Sequence, residues 1–234
     1  MSNWQPLESN SELITKYLGD IGMDISEFEF QDLLSYEEWA QQMIRQPALG
    51  LLFIYEITEK QEKFRKEEAE KIAKEGQKVS DKVFYMKQYA DNACGTIGVF
   101  HILGNLPEEH LALIKQDSLL AKFFAKTKGK SPQEAGNIFE YDDELKEKHV
   151  EATKEGTTNV ADHLETNNHF IAYVNVDGHL YELDGRKESA INHGDTTQDT
   201  FLADACNAAH AYMEREPENM NVGLIVLAPK PEDN

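Results

Sequence analysis

Three polar residues, far apart in the chain, have the types that hydrolysis by a thiol requires, and the first is Cys94. It follows the polar run QYADNA and begins the apolar segment CGTIGVFHILG. A cysteine at the start of a helix is biased toward the reactive thiolate, because the helix N-terminus carries about half a positive charge. Its backbone N–H is free to donate to an oxyanion, and Gly95 lets a substrate approach closely. The pattern favours a nucleophile; a buried cysteine that fills space beside an apolar helix is the alternative.

His169 and Asp184 are the two groups that would activate this thiol. The runs HFIAYVNV and HLYELDG flank an Asp-Gly pair at 177–178, which predicts a β-hairpin with a two-residue turn. In that register the two side chains are diagonal neighbours on one face, with Cβ atoms no more than ~7–8 Å apart. The imidazole would then take the thiol proton and the carboxylate would hold the ring. An incidental polar pair at a sheet edge is the alternative.

Gln88, six residues before Cys94, is a candidate oxyanion donor through its side-chain amide. One such donor can lower a reaction barrier by ~3 kcal/mol. A metal site is not indicated, because Cys94 and Cys206 form no CxxC pair and the eight histidines show no HxxxH spacing. Cys206 lies on the apolar stripe of a predicted helix and is expected in the core.

The elements that must position these groups alternate between helices and strands, which predicts one mixed α/β domain. Helices are predicted near 9–19, 35–45, 58–76, 96–104, in several pieces over 108–139, and at 200–214. Strands are predicted at 50–57, at 83–87, in the hairpin, and in the run NVGLIVLA. Residues 141–166 show no sustained period, and we expect a lid or a crossing loop there.

Composition narrows the classes of partner and compartment. The 234 residues include 23 basic and 43 acidic ones, a formal charge of −20, which disfavours nucleic acid and anionic membranes and favours a basic partner. Two cysteines are too few for a disulfide framework. The beginning MSNWQPLESNSE does not have the pattern of a signal peptide, and no run of ~18 apolar residues occurs. We therefore expect a cytoplasmic protein, with the nucleus as a further setting.

The motifs together resemble one family. QYADNACGTIGVFHILGN is similar to the cysteine box of the ubiquitin carboxyl-terminal hydrolases, and HFIAYVNVDGHLYELDGRK followed by INHG resembles their histidine–aspartate box. WQPLESN and ITEKQEKFRKEE resemble further family segments, so the likeness covers almost the whole chain in order. By position, the resemblance implies Cys94 as nucleophile, His169 as general base, Asp184 as orienting acid and Gln88 as oxyanion donor.

The resemblance also implies a fold. It is a papain-like α/β (α+β) fold, in which an antiparallel sheet is flanked by helices on both sides and the backbone follows a knotted path. A single catalytic domain would span 1–234, with a crossover loop at about 145–166 that limits which leaving groups pass the active site. The positions that in relatives help to cradle ubiquitin are Trp4, Pro6, Leu7, Glu8 and Glu12.

The expected activity is that of a deubiquitinating thiol hydrolase without a cofactor. It would cleave amide, ester or peptide bonds after the C-terminal glycine of ubiquitin, release small or unfolded adducts, process precursors and act as a monomer. Action on Nedd8, alone or besides ubiquitin, is left open. So are two other readings: a ubiquitin-binding or sequestering protein with incidental catalysis, and an unrelated papain-like peptidase of broad specificity.

Overall fold

A computed structural model describes residues 4–154, 156 and 167–231 of the chain. In these residues, six strands form one antiparallel sheet: β1 Phe28–Asp32, β2 Gly50–Glu56, β3 Asn168–Val176, β4 His179–Leu183, β5 Ile191–Asp195 and β6 Val222–Pro229. Their order across the sheet is β1-β6-β2-β3-β4-β5. The central strand β2 therefore pairs with two strands that follow it much later in the chain.

Helices cover the sheet and lie between its strands in the chain. They are α1 Ser11–Ile21, α2 Glu38–Gln41, α3 Glu59–Glu75, α4 Cys94–Leu103, α5 Leu119–Thr127, α6 Pro132–Glu140, α7 Asp143–Thr153 and α8 Phe201–Met213, with a 3₁₀ helix at Glu108–Leu113. The predicted start of α3 is confirmed, because the Thr58 side chain accepts a hydrogen bond from the Gln61 N–H. None of the described helices has the length and apolar character needed to cross a membrane.

The sheet is buried on both faces, because neighbouring residues of a strand point to opposite sides. Leu52 of β2 and Phe170 of β3 belong to a core on the side of α4, whereas Phe53 and Ile171 belong to a second core on the side of α8. Helix α8 covers the second of these faces along most of the hairpin, so only the end near His169 is left for the site.

The predicted hairpin register is confirmed. Val176 pairs with His179, and the ladder continues to Ala172 opposite Leu183. Asp177 and Gly178 have φ angles of 51° and 77°, as a two-residue turn of this twist requires. Because β4 ends at Leu183, the next residue of the chain lies in a turn at the end of the sheet rather than within it.

Three local predictions differ from the structure, and two strands were not predicted. The helix predicted at 35–45 is reduced to Glu38–Gln41, residues 83–87 are not a strand, and β1 and β5 had not been predicted. The segment 141–166, predicted to lack regular structure, begins with α7. Asp142 caps this helix by accepting from the Leu145 N–H, and buried residues recur at Leu145, His149 and Ala152. The crossover loop predicted at about 145–166 is therefore helical up to Thr153; residues 155 and 157–166 lie outside the described part of the chain.

Candidate active site

Cys94 is the first residue of α4. The turn before it contains Asn92 with a φ of 61°, a left-handed conformation that asparagine tolerates better than most residues. The Cys94 side chain is half-buried and reaches the surface, whereas Cys206 of α8 is completely buried, as predicted. The helix N-terminus and the partial exposure together make Cys94 the accessible thiol of the chain.

His169, near the start of β3, connects Cys94 to Asp184. The Nε2 atom of His169 lies 2.7 Å from Oδ1 of Asp184, and both side chains are buried. A hydrogen bond also joins the side chains of Cys94 and His169. Because Nε2 faces the carboxylate, Nδ1 is the ring nitrogen that remains for the sulfur. The structure thus places thiol, imidazole and carboxylate in one chain of contacts.

The surroundings of Cys94 favour its charged form. Burial raises the pKa of the thiol, but the hydrogen bond with His169, the charge of His169 and the backbone N–H groups of Phe170 and Gly95 together bring that pKa below its usual value of 9.0. A thiolate is the nucleophilic form of cysteine.

The pKa values of His169 and Asp184 also shift in the directions that favour their charged forms. Burial opposes the charge on His169, but the charge and hydrogen bond of Asp184, together with Cys94, raise the pKa of the imidazole well above its usual 6.5. Burial likewise opposes the Asp184 carboxylate, whereas His169, Lys187 and the Arg186 N–H lower its pKa below 3.8. All three shifts therefore favour the charged forms, an imidazolium between a thiolate and a carboxylate.

The turn that follows β4 brings Asp184 and Gln88 together. The Gln88 N–H donates to the Gly185 carbonyl at 2.8 Å. A side chain at Gly185 would meet Gln88, because an added Cβ would lie 2.9 Å from the Gln88 Cβ, so glycine is needed for this approach. The same Cβ would lie 3.4 Å from Ile97, one turn into α4. Gln88 is thus held beside the catalytic helix, as an oxyanion donor must be.

The side-chain amide of Gln88 has donor capacity to spare. Its Nε2 donates to the Ala90 carbonyl at 3.2 Å, which uses one of two N–H bonds. Its Oε1 is buried without a hydrogen-bond partner. The surrounding backbone therefore positions the amide but does not use all of its hydrogen-bonding groups. Its role as an oxyanion donor stays a prediction.

The predicted ubiquitin-contact residues divide into two groups. Trp4 is completely buried and its ring stacks on Phe139, with ring centroids 4.5 Å apart. Leu7 is buried against the first turn of α4, where a Cβ added to Gly95 would lie 3.1 Å from the Leu7 Cβ. Trp4 and Leu7 are thus buried in the core of the chain, and their role in ubiquitin contact stays a prediction.

Pro6, Glu8 and Glu12 keep some or all of their surface, so a contact role for these three stays a prediction.

Sequence reasoning missed a buried histidine close to the site. His149 of α7 contacts Thr96 Oγ1 through Nδ1 at 2.8 Å and the Gln5 carbonyl oxygen through Nε2 at 2.6 Å. Burial lowers the pKa of His149 to about 4, so the ring is neutral at neutral pH. It joins α7 to the first turn of α4 and to the N-terminal segment. The stripe Leu145, His149, Ala152 was the available signal.

No group of three or more histidine, cysteine, aspartate or glutamate side chains in the described residues is arranged to hold a metal ion.

Comparison with known proteins adds an independent line of evidence. Residues 4–214 match the model of "Ubiquitin carboxyl-terminal hydrolase, family 1". A ubiquitin carboxyl-terminal hydrolase of Drosophila melanogaster is 35% identical over 97% of this chain and 98% of its own length. Ubiquitin carboxyl-terminal hydrolase 3 of Arabidopsis thaliana is 36% identical over 96% of this chain and 94% of its own. Ubiquitin carboxyl-terminal hydrolase isozyme L1 of Homo sapiens is 36% identical over 95% of this chain and 97% of its own length.

The fold also matches a solved structure. The catalytic domain of Trichinella spiralis UCH37, bound to ubiquitin vinyl methyl ester, superposes with a TM-score of 0.75 and 18% identity, covering 97% of this chain and 96% of that one. At this identity the likeness concerns the fold. It agrees with the predicted antiparallel sheet flanked by helices.

Proposed function

Because the chain belongs to family 1 of the ubiquitin carboxyl-terminal hydrolases, we propose that it cleaves bonds after the C-terminal glycine of ubiquitin with Cys94 as the nucleophile. The observation that carries this assignment of residues is the chain of contacts from the half-buried Cys94 through His169 to the buried Asp184. The bonds concerned are amide, ester and peptide bonds to small or unfolded adducts, including those of precursors.

Acylation follows from the charge states of the site. The Cys94 thiolate attacks the carbonyl carbon of the terminal glycine, and the carbonyl oxygen becomes an oxyanion. The Cys94 backbone N–H and the Gln88 amide would donate hydrogen bonds to this oxyanion. The His169 imidazolium gives its proton to the leaving amine or alcohol, the carbon–nitrogen or carbon–oxygen bond breaks, and a thioester of ubiquitin remains on Cys94.

Deacylation reverses the role of the histidine. Now neutral, His169 takes a proton from a water molecule, whose oxygen attacks the thioester carbonyl. A second oxyanion forms at the same donors and collapses, so the thiolate leaves and ubiquitin is released with a carboxyl group that loses its proton to solvent. Asp184 stabilises the imidazolium in both half-reactions.

Specificity for a glycine tail agrees with the close packing at Gly95, the residue next to the thiol. Leu7 and Phe170 both lie within 4 Å of the position that a Cβ at Gly95 would occupy. Backbone without side chains can approach the sulfur most closely. The formal charge of −20 would attract the basic face and the arginine-bearing tail of ubiquitin.

We further propose a monomer that works in the cytosol and the nucleus. Both cysteines are free thiols, and a nucleophilic thiol needs a reducing compartment to stay active. Sedimentation at micromolar concentration would test the monomer, and fractionation of cells would test the location.

The decisive experiment labels the protein with a ubiquitin C-terminal electrophile and locates the adduct by mass spectrometry. We expect one adduct, on Cys94, and none in Cys94→Ala, whereas Cys206→Ala should label like the unmodified protein because that thiol is buried. Cys94→Ala should also lose turnover while its affinity for ubiquitin stays within about tenfold. Hydrolysis by Cys94→Ala, or an adduct elsewhere, would contradict the assignment.

The same preparation distinguishes the other functions. Fluorogenic amides of ubiquitin and of Nedd8, compared side by side, measure which modifier is preferred. Tight binding of ubiquitin with negligible release of the fluorophore would favour a sequestering protein. Cleavage of casein without labelling by the electrophile would indicate a peptidase of broad specificity.

A further inference from the structure

The turn that carries Asp184 is fastened at its other end by a buried lysine. Lys187 is only 6% exposed. Its Nζ atom contacts the carboxylate of Glu182, lies 2.6 Å from Oε2 of Glu68, and lies 3.2 Å from the hydroxyl of Tyr212. These partners belong to β4, α3 and α8, so three elements converge on one ammonium group.

Glu182, the most deeply buried partner, is also fully engaged. Its Oε1 accepts a hydrogen bond from the Tyr212 hydroxyl at 2.8 Å, and its Oε2 lies 2.9 Å from His193 Nε2. Burial raises the pKa of Glu182, but the charges of Lys187 and His193 outweigh it and hold that pKa far below its usual value. A buried ion pair with this many partners has one preferred geometry.

The backbone of the turn is tied to the same point. The Lys187 N–H donates to the Asp184 carbonyl at 2.9 Å. The Tyr85 hydroxyl lies 2.8 Å from the carbonyl oxygen of Asp184 and 2.5 Å from that of Lys187, and Lys87 Nζ donates to the latter at 2.8 Å. Any displacement of Lys187 would therefore move Asp184.

We propose that Lys187 is a positioning residue for the hydrolytic reaction: its ammonium, held by Glu182 and Glu68, fixes the turn that presents the Asp184 carboxylate to His169. This role rests on the proposed function of the Cys94–His169–Asp184 set. Lys187 touches neither the sulfur nor the imidazole and acts through Asp184. It is distinct from the neighbouring Arg186, which reaches outward to Glu62.

The charged or titratable groups that face this cluster besides those already named are Glu62 and Arg65 of α3, Tyr55 of β2, Tyr173 of β3 and Arg215 of α8, and they contribute to its field.

The test compares Lys187→Met with Lys60→Met. Methionine retains most of the length and volume of lysine without its charge. Lys60 is a matched control, because it also forms an ion pair between α3 and a glutamate, Glu218 at 2.9 Å, but is exposed and remote from the Asp184 turn. Should Lys187→Met fail to fold, the double variant Glu182→Gln/Lys187→Met removes both buried charges and asks the same question.

Two measurements separate positioning from a merely structural role. The first is the pH dependence of Cys94 alkylation by iodoacetamide, which needs no ubiquitin. We expect its inflection to rise by about one pH unit, which corresponds to about a tenfold smaller thiolate population below the inflection. The second is hydrolysis of a fluorogenic ubiquitin amide, for which we expect kcat to fall about tenfold at unchanged KM.

Opposite results would overturn the inference. Suppose that Lys187→Met folds, that its alkylation inflection stays at the pH of the unmodified protein and that its kcat stays within twofold. The lysine would then serve stability alone. Failure of the proposed function looks different, because the unmodified protein would then not hydrolyse the ubiquitin amide, while the alkylation profiles would still report on the turn. Lys60→Met should match the unmodified protein in both measurements.

Discussion

Replacing Asp184 by asparagine would remove a charge from the site while leaving its hydrogen bonds possible. Oδ1 of Asp184 faces His169 Nε2 at 2.7 Å and accepts from the Arg186 N–H at 2.9 Å. Oδ2 is buried without a hydrogen-bond partner. An asparagine can place its oxygen at the position of Oδ1 and its NH₂ group at the position of Oδ2. The substitution therefore separates the effect of charge from that of geometry.

The size of the effect follows from the contact distance and the burial. Two opposite charges whose centres are about 4 Å apart attract by about 4 kcal/mol at an effective dielectric constant of ~20. The neutral hydrogen bond with His169 that remains in Asp184→Asn still contributes about 1 kcal/mol. The imidazolium–thiolate pair thus loses about 3 kcal/mol, which shifts its population about 10²-fold. We expect kcat at neutral pH to fall by about this factor.

The assay is hydrolysis of a fluorogenic ubiquitin amide between pH 5 and 10, with kcat and KM determined separately. KM should change little, because Asp184 is buried behind His169 and does not reach the surface. Asp177→Asn is the matched control, since Asp177 is partly exposed at the hairpin turn and asparagine accepts its positive φ. If Asp184→Asn kept kcat within about threefold of the unmodified protein, the electrostatic role of this carboxylate would be refuted.

Three further perturbations test other parts of the structure. Gln88→Ala should lower kcat by about 10²–10³-fold at similar KM, because one oxyanion donor is lost; an unchanged kcat would exclude Gln88 from that role. Gly136→Ala places a Cβ 2.1 Å from the Lys87 carbonyl oxygen, so urea titration should show a loss of about 1–3 kcal/mol, whereas Gly98→Ala, which meets side-chain atoms alone, should lose less. Burial lowers the pKa of His149 from its usual 6.5, the value in the unfolded chain, to about 4. The contribution of this ring to the free energy of unfolding is therefore complete above pH 6.5 and is lost as the pH falls toward 4. This loss amounts to about 3 kcal/mol and should be absent in His149→Gln, which keeps the similar loss from His101 and should therefore show a shallower pH slope; an unchanged slope would contradict the burial argument.

Local sequence signals predicted the parts of the fold that local chemistry determines. The Asp-Gly turn fixed the hairpin register, and Thr58 marked the start of α3. The edge strands β1 and β5 were missed because each has only five residues. Strand β1 gains its stability from pairing with β6, which is distant in sequence, and β5 from pairing with β4 in a register that contains a bulge. The polar composition of α7 concealed a buried stripe that only packing against α1 makes visible.

The site was predictable to the extent that its residue types imply chemistry. Cys94, His169 and Asp184 stood out because a helix start and a hairpin placed them. Trp4 was assigned to ubiquitin contact by resemblance, and no local pattern predicted that its ring stacks on Phe139 in the core. Lys187 lies in a polar stretch typical of a surface loop, and its burial depends on carboxylates contributed by α3 and β4.

The position of β6 between β1 and β2 has a consequence for the newly made chain. Strand β1 ends at Asp32, and its partner among the described strands is β6, which begins at Val222. At 5–20 residues per second, a ribosome needs roughly 10–40 s to make the intervening segment. During that interval the N-terminal strand lacks its partner in the sheet. Cotranslational folding of this enzyme would therefore stay incomplete until its final strand emerges from the exit tunnel.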